Sequence, residues 1–375
     1  HVLQQFVHGV IDDDELRSLV AEAINFPFPI VRLEDQVFTL ELFHGPTLAF
    51  KDVGARCMGR ILPYCIDRSR ETVVLVATSG DTGAAVAHGF LGVDGVKVVV
   101  LYPKGKVSAL QERQMATLGK NVLALAIDGV FDDCQALVKQ AFVDEQLAKT
   151  MQITSANSIN LARWLPQAIY FICALRDLRQ FTSVPPAVCV PSGNYGNLTA
   201  GLVAERLGLP VRRWVAASNA NDVVPAYLAT GNYTPRPSVQ TLSNAMDVGA
   251  PSNFDRMLAL FANDGAQLRR RISGECVTDA ETLDAIRSVF DESGYLLDPH
   301  GATGYVALRR QLKSDEMGVF LETAHPAKFP AALQQIGLEA EIPERLTKFT
   351  DADLLSIPMP NDYDQFRSFL LEAVL

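Results

Sequence analysis

The sequence predicts an α/β fold with mostly parallel sheets, and three observations carry that prediction. Short runs of consecutive apolar residues, such as Val73–Ala77 and Val96–Leu101, lack the alternation of a strand with one wet face. Each run leads into a polar turn rich in Gly, Ser, Thr or Asn, and each turn leads into a stretch with helical character. Strands of that kind, separated by helices, belong to sheets covered on both faces and joined by right-handed crossovers.

Along the chain, Val73-Val-Leu-Val-Ala77 runs through Thr78-Ser-Gly-Asp-Thr-Gly83 into Ala84–Leu91, whose small residues suit close packing. Lys97–Leu101 runs through Tyr102-Pro-Lys-Gly105 into a helix starting near Val107. Val122–Ile127 precedes Asp128-Gly129, and Phe131–Phe142 reads as an amphipathic helix. Ala187–Val190 leads through Pro191-Ser-Gly-Asn-Tyr-Gly-Asn197 into Leu198–Leu207. Arg213–Ala217 and Val319–Glu322 read as further strands ending in polar turns, and the Pro- and Asn-rich stretch 230–253 reads as a functional loop or lid.

The 375 residues suggest two or three domains at about 150 residues each, or one fold with two lobes. The 43 acids against 33 bases give a net charge of −10, which argues against a general nucleic-acid or anionic-membrane partner. No apolar run approaches the roughly 20 residues that span a bilayer. The six cysteines form no CxxC pair and sit mostly in apolar runs, as buried thiols in a reducing compartment would. With no secretory signal in view, the expectation is a cytoplasmic protein.

Ligands of parallel sheets bind beyond the carboxyl ends of the strands, which singles out the turns 78–83, 191–197 and 322–329. In Ser192-Gly-Asn-Tyr-Gly-Asn197 two glycines allow close backbone approach to an anion at a helix start. The turn fits neither GxxxxGK[ST] nor GxGxxG, and by itself it serves equally as a tight βα turn capped by Asn. Thr78-Ser-Gly-Asp-Thr-Gly83 offers hydroxyls and backbone donors for a carboxylate, or simply a helix cap. Lys51, flanked by Phe50, has the apolar surroundings that make a neutral amine available for Schiff-base chemistry, although a lone lysine at a helix start is more often a solvated one. Ser155–Arg163 gathers two amides, hydroxyls and an arginine suited to phosphate or carboxylate, although by itself the segment reads more readily as a capped helix with a salt-bridged arginine. His300 and His325 show no HxxH or HExxH spacing, so no metal site is expected, and no GxSxG elbow is present.

One chemistry uses all these features in this order. The segments His44–Asp52, Ala77–His88, Tyr102–Gln111, Ser155–Arg163, Val190–Ala200, Thr241–Asp247 and Thr323–Phe329 closely resemble the threonine synthase family, and more widely the fold type II pyridoxal-phosphate enzymes. The resemblance implies a two-lobed architecture like the tryptophan synthase β subunit. Residues 1–51 would pack with the large lobe, 52–150 form the small α/β lobe, and 151–375 form the large lobe carrying the phosphate loop.

It also implies roles. Lys51 would hold pyridoxal 5′-phosphate. Gly193, Asn194, Tyr195, Gly196 and Asn197 would bind its phosphate, and Thr323 would meet its pyridine nitrogen. Asp81 would stand near its phenolic oxygen, where many relatives carry Asn; an acid there is electrostatically awkward, so one of the two groups is expected to hold a proton. Thr78, Ser79 and Thr82 would receive the substrate carboxylate, and Asn157, Ser158 and Arg163 the phosphate of O-phospho-L-homoserine. The implied reaction is a β,γ-replacement giving L-threonine. A related phospho-lyase would release 2-oxobutyrate from the same substrate, and a silent relative would bind a ligand without turnover. The resemblance departs at two points: Tyr195 stands where Phe is expected, and the Thr-Arg-Gly motif that family members carry before the HGPT segment is absent. The expected partner is a small molecule, with no nucleic acid or membrane, and the expected state is a monomer or homodimer.

Overall fold

Unbroken apolar runs in the sequence become strands buried on both faces, arranged in two sheets that form two lobes. The computed structural model describes residues 1–373. Numbered along the chain, its strands are β1 (Ile30–Arg32), β2 (Val37–Glu41), β3 (Thr72–Ala77), β4 (Val96–Pro103), β5 (Val122–Asp128) and β6 (Gln152–Ser155). They continue with β7 (Ala187–Pro191), β8 (Arg213–Ser218), β9 (Ile272–Cys276), β10 (Gly318–Glu322) and β11 (Ile357–Pro360). The larger sheet has the order β1-β2-β10-β7-β8-β9, and the smaller β11-β5-β4-β3-β6. All pairs are parallel except β1 with β2.

Alternate residues of each strand feed different cores. Val74, Val76, Val98 and Val100 pack with Ala85 and Phe90 on one side of the smaller sheet. Val73, Leu75, Val99 and Leu101 pack with Leu137 and Phe366 on the other. In the larger sheet Val188 and Val190 join Phe171 and Trp214, whereas Ala187 and Cys189 join Ile286 and Leu308. Each fully buried Val or Leu contributes roughly 1.5–3 kcal/mol relative to exposure, so neither face of either sheet is expendable.

The lobes do not divide the chain as the sequence suggested. Strands β6 and β11 lie after residue 150, yet they pair with β3 and β5 of the smaller sheet. Both are short, and β11 carries two prolines, which sheets tolerate at an edge. Residues 1–51 supply β1 and β2 to the larger sheet.

Two helices bring the site together. Helix Lys51–Ile61 crosses helix Asp81–Gly89 with almost no space between backbones: a Cβ on Gly59 would lie 2.3 Å from the Gly89 carbonyl oxygen, and one on Gly89 would lie 2.8 Å from the Ala55 carbonyl carbon. Gly80, at φ +135°, makes the turn into the second helix, where a Cβ would meet the Gln111 amide at about 2.5 Å. Helix Ala109–Ala116 starts two residues later than expected, because Ser108 and Gln111 form a capping box there. The 230–253 segment is pinned rather than loose: Asp247 accepts hydrogen bonds from Asn219, Asn221 and Thr241, and residues 244–246 form a 3₁₀ turn.

Candidate active site

The turns that follow β3, β7 and β10 open on one cleft. All fourteen residues singled out from the sequence line it: Lys51, Thr78, Ser79, Asp81, Thr82, Asn157, Ser158, Arg163, Gly193, Asn194, Tyr195, Gly196, Asn197 and Thr323.

Lys51 opens the helix Lys51–Ile61, with its Nζ 5.6 Å from the centre of the Phe50 ring. Burial lowers its pKa to about 8; Asp81 and Asp298 oppose that shift, while Lys328 and Arg163 add to it. The amine is therefore available in neutral form near physiological pH.

The β7 turn is an anion cradle made of backbone. Ser192 Oγ accepts the Tyr195 N–H at 2.9 Å and donates to Asn197 Oδ1 at 2.6 Å, which draws the loop around the start of helix Gly196–Arg206. Tyr195 takes a left-handed conformation (φ 57°), and its ring is buried with its hydroxyl on Ser218 Oγ. The Tyr195 and Asn197 side chains thus build the loop, and the backbone faces the cleft. Among the described residues, the N–H groups of Gly193, Asn194, Gly196 and Asn197 have no protein acceptor. With the helix dipole behind them they fit a phosphate. A Cβ on Gly193 would lie 2.8 Å from Met246 Cα, so the loop admits no side chain there.

Arg163 belongs to the segment Leu161–Trp164, which Asn160 caps by accepting the Ala162 N–H at 3.0 Å. It is 2% exposed. Its guanidinium makes no ion pair or hydrogen bond with any described residue, and its buried Nε has no partner. Burial pulls its pKa down to about 10. Gly54 makes room for it, since a Cβ there would lie 2.5 Å from one guanidinium nitrogen. Asn157, by contrast, pairs its amide with the backbone of Ala77, donating at 2.7 Å and accepting at 3.2 Å. It extends the end of β3 and leaves Ser158 and Arg163 facing the cleft.

Thr78 Oγ1 accepts the N–H groups of Gly80 and Gly83, at 2.9 and 2.8 Å, and so shapes its own turn. Thr323 follows β10; its N–H and that of Ala324 are both held by Asp298 Oδ2.

Several residues here carry weight that the sequence reading did not assign. Asp298 Oδ1 lies 2.6 Å from His300 Nδ1, and His300 Nε2 accepts the Ala245 N–H at 3.2 Å. His300 thus fastens the 244–248 segment to the cleft. Asp298 caps helix Pro299–Gln311, a pattern of Asp before Pro that could have drawn attention to it, but nothing local marks its link to Thr323. Lys328, within the quoted segment Thr323–Phe329, ion-pairs with Asp81. Burial works to raise the Asp81 pKa, but the cations of Lys328 and Lys51 outweigh it and hold the carboxyl far below its usual range. That ion pair removes the need for a proton on Asp81.

A neutral-capable buried lysine, a backbone phosphate cradle and a free hydroxyl-bearing turn fit pyridoxal phosphate, and together with the two-sheet architecture they define a fold type II pyridoxal-phosphate enzyme. Residues 26–322 match the family "Pyridoxal-phosphate dependent enzyme", and residues 301–370 match "Threonine synthase, C-terminal". The chain is 48% identical over 373 residues to threonine synthase of Haemophilus influenzae, covering 99% of this chain and 87% of that relative. The crystal structure of threonine synthase from Escherichia coli superposes with a TM-score of 0.93 at 46% identity, covering 99% of this chain and 86% of that one. A structure of PLP-bound threonine synthase from Brucella melitensis gives 0.91 at 35% identity, covering 98% and 86%. The chain belongs to the threonine synthase family, and its activity is pyridoxal-phosphate-dependent threonine synthesis. Similarity of this order over nearly the whole of this chain favours the synthase over a phospho-lyase or a silent relative.

Proposed function

We propose that this cleft converts O-phospho-L-homoserine and water to L-threonine and phosphate, with Lys51 as the catalytic lysine. The observation that carries the reading is Arg163: a buried guanidinium without an acid partner is costly, and a phosphate monoester in the same cleft as Lys51 balances it.

Lys51 would hold pyridoxal phosphate, with the N–H groups of Gly193, Asn194, Gly196 and Asn197 at its phosphate and with Asp81 and Thr323 at its ring. When bound, the cofactor supplies an electron sink that makes the substrate Cα proton removable. The Lys51 amine takes and returns that proton, since burial lowers its pKa to about 8 and it lines the cleft. Thr78, Ser79 and Thr82 bind the substrate carboxylate at a helix start. Ser158 and Arg163 hold the phosphate and keep it in place as it leaves Cγ, while Asn157 positions them. Over the reaction Cγ gains a proton in place of phosphate, and Cβ exchanges a hydrogen for the hydroxyl of water.

On the same reading the partner is a small molecule, with neither nucleic acid nor membrane, and the protein works in the cytoplasm as a monomer or homodimer. The net charge of −10 and the six unpaired cysteines support this, and among the described residues no helix is long and apolar enough to cross a membrane.

The test is chromatography of the organic product formed by the cofactor-loaded protein from O-phospho-L-homoserine. Threonine supports the proposal. 2-Oxobutyrate would move the protein to the phospho-lyases, and no product from protein that holds its cofactor would mean a different substrate.

A further inference from the structure

Behind Asp81 lies a lysine that the scheme above leaves unused. Lys328 ends the 3₁₀ turn Pro326–Lys328 and is 0% exposed. Its Nζ lies 2.5 Å from Asp81 Oδ1 and donates to the Thr47 carbonyl oxygen at 3.0 Å. Thr47 stands just before Lys51, with its N–H and hydroxyl bound by Asp52. Gln111 Nε2 donates to the same Asp81 oxygen at 3.0 Å, while its own Oε1 accepts the Ser108 N–H. One buried ammonium therefore joins the turn after β10, the start of helix Asp81–Gly89 and the approach to the reactive lysine.

We propose that Lys328 is a positioning residue for the reaction: by taking Asp81 as its own partner, it keeps that carboxylate ionised and fixed while leaving the Lys51 amine unpaired. The argument rests on competition. Asp81 faces two lysines, and a carboxylate left to Lys51 alone would hold that amine as an ammonium, unable to act as nucleophile or base. The charged groups facing Lys51 are Asp81 from helix Asp81–Gly89, Lys328 from the turn after β10, Arg163 from the segment Leu161–Trp164, and Asp298 ahead of helix Pro299–Gln311. Asp52, its neighbour on its own helix, is turned to Thr47. Lys328 acts twice in the same direction, by occupying Asp81 and by its own repulsion of a charged Lys51.

The inference rests on Lys51 being the cofactor lysine, and its test separates the two ideas. Competitive labelling of Lys51 by acetic anhydride, read by peptide mass against pH, is run on the full chain freed of cofactor. Lys328→Met is expected to move the Lys51 titration up by about one pH unit or more, and Asp81→Asn to move it down. The double variant is expected to return towards the parent, and Lys328→Arg to stay with it. Far-UV circular dichroism checks each fold. If Lys328→Met does not fold, Asp81→Asn and Lys328→Arg still decide: a shift upward in the first, or a displaced titration in the second, overturns the proposal. So do single-variant shifts of the same sign, or an unmoved titration in Lys328→Met. Borohydride reduction of the loaded enzyme followed by peptide mapping tests the premise. Cofactor on Lys51 with an unmoved titration overturns the role of Lys328 alone, whereas cofactor on another lysine overturns both.

Discussion

Replacing Arg163 with Met should damage catalysis and stabilise the cofactor-free protein at once. The guanidinium has no partner among the described residues, so its removal breaks no internal bond, and everything it contributes is directed at a ligand. Two charge-assisted hydrogen bonds to phosphate, at about 1.5–3 kcal/mol each, amount to about 3–6 kcal/mol. At about 1.4 kcal/mol per factor of ten, kcat/KM for O-phospho-L-homoserine should fall about 10²- to 10⁴-fold. Stability should move the other way, because an uncompensated buried charge is exchanged for an unbranched apolar side chain of similar length in the space that Gly54 leaves. Steady-state kinetics measures the first effect. Urea unfolding of the cofactor-free protein, without phosphate, measures the second. A fall in kcat/KM of less than about tenfold, or a lower unfolding midpoint, would refute the assignment of Arg163 to the substrate phosphate.

Three other expectations follow from the geometry. Lys51→Ala should abolish turnover and leave no cofactor attached to the protein after borohydride reduction; a labelled lysine elsewhere would contradict the reading. Gly59→Ala drives a Cβ to 2.3 Å from the Gly89 carbonyl oxygen, so the two site-bearing helices must separate; the cost of overpacking is about 1–3 kcal/mol, seen as a lower urea midpoint and weaker cofactor binding, and an unchanged midpoint counts against the contact. Burial holds the His88 and His325 pKa values down at about 4, against an ordinary 6.5, so the unfolded chain binds more protons between those values and stability is lost as pH falls from 6.5 towards 4. Each group then adds a slope approaching about 1.4 kcal/mol per pH unit, and a His88→Gln, His325→Gln double variant should show a flatter stability profile across that window.

The long central strands were legible because burial on both faces leaves a continuous apolar run, as in Val73–Ala77 and Ala187–Val190. Edge strands escaped for the converse reason. Gln152–Ser155 is half wet, and Ile357–Pro360 alternates Pro with apolar residues, so neither carries a distinctive pattern. The site was legible where its chemistry is local: a turn after a strand announces its own backbone donors, as at 78–83 and 192–197. It was illegible where the chemistry depends on meetings across the fold. Nothing in Pro326-Ala-Lys328 says that Asp81 waits opposite, or that Asp298 will hold the N–H groups of Thr323 and Ala324. Asn157 shows the same limit, since its amide suits a phosphate on paper but is held by the backbone of Ala77.

The return of β11 to the edge of the smaller sheet bears on how the protein is made. The outer edge of β5 has no partner until residues 357–360 have left the ribosome, after almost the whole larger lobe has been synthesised. Leu125 and Ile127 gain the cover of Met359 and Phe366 only after those residues have emerged. The N-terminal-first order by which domains commonly fold during synthesis cannot complete this lobe. A ribosome-stalled chain ending before residue 350 should therefore carry a protease-sensitive small lobe, and emergence of residues 357–366 should be the event that seals it.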